Sequence, residues 1–566
     1  MNNDRFQQLC SVTIAVVSIF TALLAYVQTD AGHRDDRANR DSKQYALKAF
    51  GLKVRGHSEA KFAYHEAFKS YHESHRLAYH AENLEQDLTS DIFEQAAEEL
   101  TRHSPLFEKY YEPETGVVDT ARFEADLYVR EVAQLEQKFK AASDVKAAWN
   151  TKATTYIVHL TLLAVSLFLL GQASSLKRDF TKKTLYGTGV SLALVTFFWV
   201  LTVWVNDVPD LRDTGAIEYY SEGQALDHQG LYKEAIGEYD QALKAAPYYL
   251  DGYLARGLDY LELGRFSEAA ADFEAALKLN PQDGRIAINL SEAYYEQGLF
   301  DKSIQLGKLG VQLAPDDLSF QGMLALTTLA SGDVEAARSE YEKVRNLAIK
   351  TVADARAHQE QPPSFIWETL DMVSLDLEDL STAAESGEGT PPQDKIRNPE
   401  AVIETCEVLR AEIDGLSVSL EYTGEPPKEK LTAEVSDLTF GLPLYDDEGE
   451  LKSEIETYPD DVFPWGTGEV VVQFVHGKVT DGQDLVLRVF LNGDELPSWR
   501  MLEKWTYGDG DGETDHWYKV LAPGYSETTE LDPGEYLVEF FFNGHLVLRD
   551  GFTIEDGEEE LSLIHI

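Results

Sequence analysis

Three hydrophobic runs dominate the first part of the chain, at residues 9–27, 156–174 and 185–205. Each run is long enough, as a helix, to cross a hydrocarbon core of about 30 Å. A soluble core helix of this length would carry a polar stripe, and none of the three runs has one. We therefore predict three transmembrane helices, with a cleaved signal sequence as the alternative for the first run.

The charges that flank these runs predict an orientation in the membrane. The short loop between the second and third runs carries one acid and four basic residues, Lys177, Arg178, Lys182 and Lys183. Short basic loops stay on the cytoplasmic side, and the flank that follows the third run is acidic. This pattern places the N-terminus in the cytoplasm and residues 28–154 and 206–566 outside it. In either orientation the two soluble parts lie on the same side.

Residues 28–154 show helical periodicity. Small and aromatic residues recur at alternating steps of four and three, which indicates a seam on one helix face. The seam consists of Ala60, Tyr64, Ala67, Tyr71, Ser74, Ala78 and Ala81. The layout, a helical insert between two spans, resembles the sensor bundles of bacterial receptors. A membrane sensor or receptor is therefore an alternative function.

Histidines near the seam leave three interpretations open. His72 and His75 are three residues apart and could share a metal ion on one helix face. The same residues would suit a pH-responsive helix pair, or they are partly solvated histidines without a role of their own. The set is His57, His65, His72, His75 and His80. His159 lies inside the second hydrophobic run, where an ionisable residue is a functional candidate, although a neutral ring one turn from the end can reach the interface.

A period of 34 residues begins after the third run. Pro247, Pro281 and Pro315 are spaced by 34, and a glycine series keeps the same spacing. The glycines are Gly230, Gly264, Gly298 and Gly332. The pattern resembles the tetratricopeptide repeat (TPR), whose 34-residue unit has small residues where two helices cross and a proline near its end. Four such repeats fit residues 216–351, the last of them degenerate.

The resemblance implies a curved solenoid whose concave groove binds a protein or peptide. The family's groove positions fall on the first helix of each repeat. They correspond to Tyr220, Gln224, Asp227 and His228, then to Leu254, Leu258, Leu261 and Glu262, then to Arg285, Ile288, Glu292, Tyr295 and Glu296. Only Arg285 is basic, and the asparagine and lysine clamp of chaperone-binding relatives is absent. We therefore expect a basic or amphipathic ligand, with a solenoid that acts only as a spacer as the alternative.

The hydrophobic period changes from helical to two near residue 415. Leu416, Val418 and Leu420 alternate with polar residues, and Asn-Gly pairs at 492–493 and 543–544 separate apolar runs. Asn-Gly between such runs is a strong hairpin signal. The stretch from Leu531 to Tyr536 resembles the tyrosine corner of immunoglobulin-like and fibronectin-type modules. We predict an antiparallel β-sandwich.

Together these features predict a multidomain α and β fold. Its parts are an N-terminal transmembrane anchor at 1–27, a helical insert at 28–154, two transmembrane helices at 155–205, four TPR repeats at 216–351, a helical connector at 352–414, a β-sandwich at 415–556 and a tail at 557–566.

The formal net charge is −50, and residues 351–566 carry −36 of it. Such a field repels nucleic acid and favours cationic partners or divalent ions, unless it is only a solvated surface. A calcium loop is one interpretation of the alternating acids Asp509, Asp511, Glu513 and Asp515, and an acidic hairpin tip is the other. Cys10 and Cys406 are far apart in sequence, which argues against an internal disulfide.

The sequence contains no nucleophile elbow, phosphate-binding loop, zinc-protease motif or kinase set. We therefore expect no enzyme and no cofactor, with a hydrolase hidden in the β region as the remaining alternative. The favoured function is a membrane-anchored scaffold that binds partners through the concave face of its repeats.

Overall fold

The computed structural model describes residues 3–83, 105–112, 117–176, 178–387, 389–427, 433–445, 451–464, 467–479, 481–496, 499–507, 516–522 and 531–555. The chain divides into two compact units, Met1–Leu263 and Gly264–Ser562.

Long helices build the first unit. They are α1 (Asn3–Asn83), α2 (Pro105–Tyr110), α3 (Thr120–Ser175) and α4 (Asp179–Val205), with a small hairpin of β1 (Tyr111–Glu112) and β2 (Val117–Val118). α3 contains a π-helical turn at Ala125–Val129. α1, α3 and α4 are long and apolar enough to cross a membrane. Each contains one of the predicted hydrophobic runs.

Helices α1 and α3 pack closely because small residues line their contact. Ala31, Ala38, Ala49 and Ala60 on α1 are at most 5% exposed. At Gly56 an added Cβ would stand 2.5 Å from the Tyr128 side chain, so α3 approaches where α1 has no side chain. Ala60 and Tyr64, the described members of the predicted seam, are buried and half-buried. The side chains of the other seam members lie outside the described residues.

The repeats form pairs of helices, A and B. In the first unit these are α5 (Ala216–Asp227), α6 (Tyr232–Ala245) and α7 (Leu250–Glu262). The second unit continues with α8 (Phe266–Leu279), α9 (Gly284–Glu296), α10 (Phe300–Leu313), α11 (Leu318–Ala330) and α12 (Val334–Ala357). The four predicted glycines have φ between 66° and 83° and lie where each A helix ends. Glycine adopts this left-handed conformation without strain, which explains the 34-residue series.

Two further helices follow the repeats, α13 (Phe365–Glu385) and α14 (Pro399–Tyr422). The predicted strand that begins at Leu416 is wrong, because Leu416, Val418 and Leu420 belong to α14. The intervening Ser417 and Ser419 are buried as well, at 3% and 6% exposed. A helix enclosed on all sides has no solvent face, so its sequence lacks the polar stripe of helical period. Apolar and polar residues alternate in this segment, but both kinds are buried, so the alternation does not mark a buried face and an exposed face of a strand.

The C-terminal region contains two β-sheets. Its strands are β3 (Val435–Tyr445), β4 (Leu451–Glu456), β5 (Val462–Phe463), β6 (Val470–His476), β7 (Asp484–Leu491), β8 (Asp494–Glu495), β9 (Met501–Lys504), β10 (His516–Leu521), β11 (Gly534–Phe542) and β12 (His545–Ile554). One sheet has the order β10-β6-β3-β4, and the other has β5-β12-β11-β7-β8 with β9 also on β7. Only the β5–β12 pair among these is parallel.

Side chains from both sheets share one core. Phe440 and Phe474 come from the first sheet, and Phe540, Phe542 and Phe552 come from the second. Both predicted Asn-Gly hairpins are confirmed, since Asn492 and Asn543 have φ of 51° and join β7 to β8 and β11 to β12. The Tyr536 hydroxyl donates a 2.8 Å hydrogen bond to the Asp532 carbonyl four residues upstream.

Helix α14 is packed against the second sheet. Val418 shares a small core with Val486 and Phe541. An added Cβ at Gly415 would stand 2.0 Å from the Gly544 carbonyl oxygen, so the helix backbone rests on the β11–β12 turn. Arg500 binds Glu421 at 2.8 Å, which adds an ion pair to this contact. The connector helices and the β region are therefore one packed body.

Candidate partner-binding groove

Tyr220 and Gln224, predicted to line the groove of the first repeat, take part in the packing of that repeat. The Tyr220 ring lies 5.7 Å from the Tyr239 ring and 5.3 Å from the Tyr249 ring. Gln224 Nε2 donates a 2.6 Å hydrogen bond to the Tyr239 hydroxyl. Burial and nearby carboxylates, Asp251 first among them, raise the pKa of Tyr220. Tyr220 therefore presents little surface to a partner.

Asp227 pairs with a carboxyl group that the sequence analysis did not single out. Asp259, on α7, is 2% exposed and shares a side-chain hydrogen bond with Asp227 on α5. Burial, followed by the charge of Asp227, raises the pKa of Asp259 to about 8. Burial also raises the pKa of Asp227. The pair therefore holds a proton at neutral pH.

The three predicted groove leucines form a strip on α7. Leu254, Leu258 and Leu261 follow at steps of four and three, so they lie on one helix face. Leu258 is 45% exposed, and its two neighbours are half-buried. Glu262, beside this strip, is exposed. Among the predicted groove residues of the first unit, these leucines provide the apolar surface that a partner could contact.

The insert contacts the first repeats through charged side chains. Arg130 Nε lies 2.6 Å from a Glu222 carboxylate oxygen. Lys140 Nζ lies 2.5 Å from Asp251. His228, predicted as a groove residue, instead lies 3.0 Å from Glu124. Each pair joins α3 to a repeat helix or to the turn that follows it. The partners are about 90 or more residues apart in sequence, so no local sequence pattern predicts these contacts.

In the second unit the predicted groove residues differ in exposure. Arg285 is exposed and lies 3.0 Å from Asp283, at the start of its own helix. Ile288 is 9% exposed, and an added Cβ on Gly310 of α10 would stand 2.6 Å from it. Glu292 is half-buried, whereas Tyr295 is only 4% exposed. Of these four predicted groove residues, Tyr295 is the most deeply buried.

Helix α13 occupies the A-helix side of the third and fourth repeats. An added Cβ at Gly322 of α11 would stand 2.9 Å from Val373, so the two helices touch at this glycine. A cavity of about 330 Å³ remains beside this contact. It is lined by Tyr295, Glu296, Leu326, Asp376, Asp379, Thr382, Gly389 and Thr390. We call it the acidic pocket.

Two carboxyl groups of the acidic pocket, those of Asp376 and Glu296, have raised pKa values. Burial, followed by the charges of Asp379 and Glu296, raises the pKa of Asp376 to about 7. Burial also raises the pKa of Glu296, although a hydrogen bond from Thr390 opposes the shift. The sequence analysis missed Asp376 and Asp379, because nothing in their own helix indicates that it packs on the repeats.

The candidates for metal sites remain unsupported. The calcium candidates Asp509, Asp511, Glu513 and Asp515 lie outside the described residues, as do the side chains of His72, His75 and His80. His57 and His65 are exposed. Among the residues that the structure describes, no three His, Cys, Asp or Glu side chains come together to hold a metal ion.

His159 lies at the centre of the packed hydrophobic helices. It is 0% exposed, and its ring lies 4.5 Å from the Trp199 ring in an edge-on arrangement. Within the described part of the chain, neither ring nitrogen has a hydrogen-bond partner. The ring is therefore packed among the side chains of its neighbouring helices and does not project outward.

Comparison with known proteins identifies the repeats. Residues 254–317 match the tetratricopeptide-repeat family model. A UDP-N-acetylglucosamine–peptide N-acetylglucosaminyltransferase of Giardia intestinalis is 35% identical over 82 residues, which cover 14% of this chain and 6% of the relative. Human tetratricopeptide repeat protein 6 is 29% identical over 127 residues, which cover 22% of this chain and 24% of the relative. The chain thus spans less than a quarter of either relative.

Some solved structures are similar to part of the chain. MamA from Desulfovibrio magneticus RS-1 is 23% identical, with 30% of this chain and 92% of that chain covered and a TM-score of 0.23. The first TPR of Spaghetti, bound to an HSP90 peptide, is 22% identical over 20% of this chain and 93% of that chain, with a TM-score of 0.20. The family match and the 34-residue helix pairs establish that the chain carries tetratricopeptide repeats.

Proposed function

We propose that the protein is a membrane-anchored scaffold that binds protein or peptide partners through the A-helix face of its repeats. The observation that carries the proposal is the leucine strip on α7, where Leu258 keeps 45% of its surface exposed inside a confirmed repeat. An apolar strip with acidic neighbours suits an amphipathic or basic segment. The peptide that occupies the Spaghetti repeat is consistent with this use of the fold.

Membrane anchoring is supported by how the apolar helices expose their side chains. Val12, Phe198 and Trp204 lie in the three-helix region, and each is more than 60% exposed. A water-soluble protein would bury most of this surface, whereas lipid would cover it. In our proposal the N-terminus is cytoplasmic, and the repeats and the β region are extracytoplasmic, as the basic loop between α3 and α4 indicates.

For the β region we propose an immunoglobulin-like sandwich. The core shared by the two sheets supports this arrangement. The Tyr536–Asp532 hydrogen bond has the form of a tyrosine corner. Such a domain would present a rigid surface next to the repeats and needs no catalytic group.

A sensor function is the second candidate, and one observation favours it. The ion pairs Arg130–Glu222 and Lys140–Asp251 join the insert to the first repeats. A change in the insert would therefore be transmitted to the helices that carry the leucine strip. In that case the scaffold would bind its partner only in one state of the insert.

Photocrosslinking tests the scaffold function. A benzoyl-phenylalanine at Leu258 in the full chain, expressed in its own membrane, should give a discrete crosslinked protein band. The same group at Leu231, which is 42% exposed but lies outside the strip, is the matched control. Equal products at both positions, or none at Leu258, would refute partner binding at the strip.

A further inference from the structure

Helix α1 carries large apolar side chains on a face that is open to solvent. Leu47, Phe50 and Val54 are 75%, 70% and 51% exposed. Their spacing of three and four residues places them on one side of the helix, and we call them the apolar stripe. Phe62, which is 68% exposed, extends this surface further along α1. Contiguous exposed apolar side chains on a helix mark a surface that another molecule covers.

The apolar stripe lies opposite the side of α1 that packs on α3. Ala49 and Gly56 are buried on the α3 side, and each follows a residue of the stripe by two positions. Two residues of an α-helix are separated by about 160° around its axis. Helix α3 therefore cannot cover the stripe.

Lipid cannot cover the stripe in a membrane-anchored chain. The first hydrophobic run ends at Val27, and the helix rises about 30 Å between this residue and Leu47. The exposed residues of the intervening segment include Arg34, Asp36, Arg40 and Lys43. Charged side chains of this kind do not enter a hydrocarbon core. The stripe thus lies in water, beyond the membrane surface.

The stripe keeps the seven-residue period of the exposed face within the hydrophobic run. Val12, Ile19 and Tyr26 precede Leu47 by multiples of seven residues, and each is more than 60% exposed. His33 and Arg40 hold the two positions between, so the apolar face has a part in the membrane and a part in water. A seven-residue apolar period is typical of a helix that pairs with another long helix. Lipid can cover the first part, whereas the second part needs a partner.

The residues beside the stripe are compatible with an identical helix. With the stripe at the a and d positions of a heptad, the flanking e and g positions are held by Ala46, Gly51, Lys53 and Ser58. In a parallel pair Lys53 lies next to Ser58 of the second copy, so no like charges meet there. Lys48 and Arg55 fall on the b position and are directed away from the contact.

Gly51 provides a second, independent observation. It lies inside α1, where glycine is less favourable than alanine. Gly56 has a reason within the chain, because an added Cβ would stand 2.5 Å from Tyr128. At Gly51 no atom of the described residues lies within 4 Å of an added Cβ, so the packing of the single chain does not require this glycine. A second helix that lies close against the stripe does.

We propose that the apolar stripe joins two copies of this chain through a parallel contact between their α1 helices. The inference rests on the proposed membrane anchoring, which gives both copies the same orientation. A two-fold axis along the membrane normal then places each residue of the stripe against the same residue of the second copy. The pair presents two leucine strips on one side of the membrane, so that a partner with two binding segments is held more tightly than by one copy.

Cysteine crosslinking in the membrane tests the contact. Both native cysteines are buried, so a single introduced cysteine supplies the reactive thiol. Leu47→Cys and Val54→Cys should each give a disulfide-linked dimer under mild oxidation. Lys48→Cys and Arg55→Cys are the matched controls on the b position. They should give on the order of ten-fold less dimer, because Cα atoms more than about 7 Å apart do not form a disulfide.

The mass of the full chain in detergent, measured by light scattering, is the second readout. The unmodified chain should have the mass of two copies, and Leu47→Ser/Val54→Ser should have the mass of one. Lys48→Ser/Arg55→Ser is the control and should stay dimeric. All four side chains are exposed in the single chain, so both variants should keep the helical circular dichroism of the unmodified chain.

Four results would overturn the inference. They are a mass of one copy for the unmodified chain, equal crosslinking at the b positions and the stripe, a disulfide that forms only between Leu47→Cys and Val54→Cys chains in a mixture, and a crosslink from the stripe to a different protein. The third result would indicate antiparallel helices, and the fourth would indicate another occupant.

The same cells separate this inference from the proposed function. Dimers of Leu47→Cys without a crosslinked partner at Leu258 refute the scaffold function and leave the helix pair standing. A crosslinked partner at Leu258 without dimers refutes the helix pair alone. A chain that alkaline carbonate removes from the membrane refutes the anchoring, while the pattern of disulfides still reports whether the helices pair.

Discussion

The carboxyl groups of Asp227 and Asp259 share a hydrogen bond between the A helices of the first two repeats. One of the two must hold a proton for this contact to be favourable, and the more deeply buried Asp259 is the one with the higher pKa. Its Oδ2 atom has no partner within the described residues. The pair makes the first repeats sensitive to pH near neutrality.

Replacement of Asp259 should stabilise the first repeats at alkaline pH. The folded pKa of Asp259 is about 8, above the ordinary value of 3.8, so the folded state holds a proton that the unfolded state releases. Stability is therefore lost as the pH rises from about 4 to about 8. Asp259→Asn removes this loss, with a gain on the order of 2 kcal/mol at pH 8.5 and little change near pH 4. Hydrogen exchange of the α5 and α7 amides measures this gain in stability. A gain that does not depend on pH would contradict the shared proton.

An alanine at Gly223 should destabilise the first repeat. Its Cβ would stand 2.4 Å from the Tyr239 ring, which is fully buried and cannot move aside. Overpacking of this kind costs about 1–3 kcal/mol. Gly237, on α6, is the control because no atom lies within 4 Å of an added Cβ. Gly237→Ala should gain about 0.5–1 kcal/mol from helix propensity. Thermal unfolding compares the two, and equal effects would contradict the crossing of α5 and α6 at Gly223.

The hydroxyl of Tyr536 should contribute to the stability of the β region. Tyr536→Phe removes the 2.8 Å hydrogen bond to the Asp532 carbonyl and keeps the ring. The expected loss is about 1 kcal/mol. Tyr518 is 47% exposed on β10, so Tyr518→Phe is the control and should change little. Urea unfolding followed by tryptophan fluorescence measures both, and identical midpoints would show that the corner does not contribute.

His159 should be replaceable by an apolar residue. Its two ring nitrogens are buried without partners among the described residues, a state that costs about 1–3 kcal/mol. His159→Phe should therefore raise the Tm of the full chain in detergent. Ser166→Ala is the contrast, because Ser166 donates a 2.7 Å hydrogen bond to the Gly189 carbonyl and its loss should lower the Tm. A lower Tm for His159→Phe would show that the ring has a bonding partner.

Cysteine labelling tests the orientation in the membrane. Both native cysteines are buried, and burial raises the pKa of the Cys406 thiol to about 12, so the native chain should not react with a maleimide. Ser386 is exposed at the end of α13, and Ser386→Cys should react. Labelling of this variant in intact cells by an impermeant maleimide supports an extracytoplasmic repeat region. Labelling only after permeabilisation would show the opposite orientation, with the repeat region in the cytoplasm.

The sequence was most informative where structure is local and repeated. The period of 34 identified the repeats because each repeat needs a left-handed residue at its turn and a small residue at its helix crossing, as Gly230 and Gly223 show. The three hydrophobic runs and the two Asn-Gly hairpins were visible for the same reason. In each case one short segment carries all the information.

Only the tertiary structure decided how these elements close on one another. The segment from Leu416 to Leu420 is helical because its neighbours surround it, and its own alternation indicated a strand. Tyr295 lies under α13, and Asp376 and Asp379 join it at one pocket, although the three come from helices about 80 residues apart in sequence. Asp227 and Asp259 meet because two A helices stack. Contacts of this kind depend on burial and distance in space, which residue spacing along the chain does not encode.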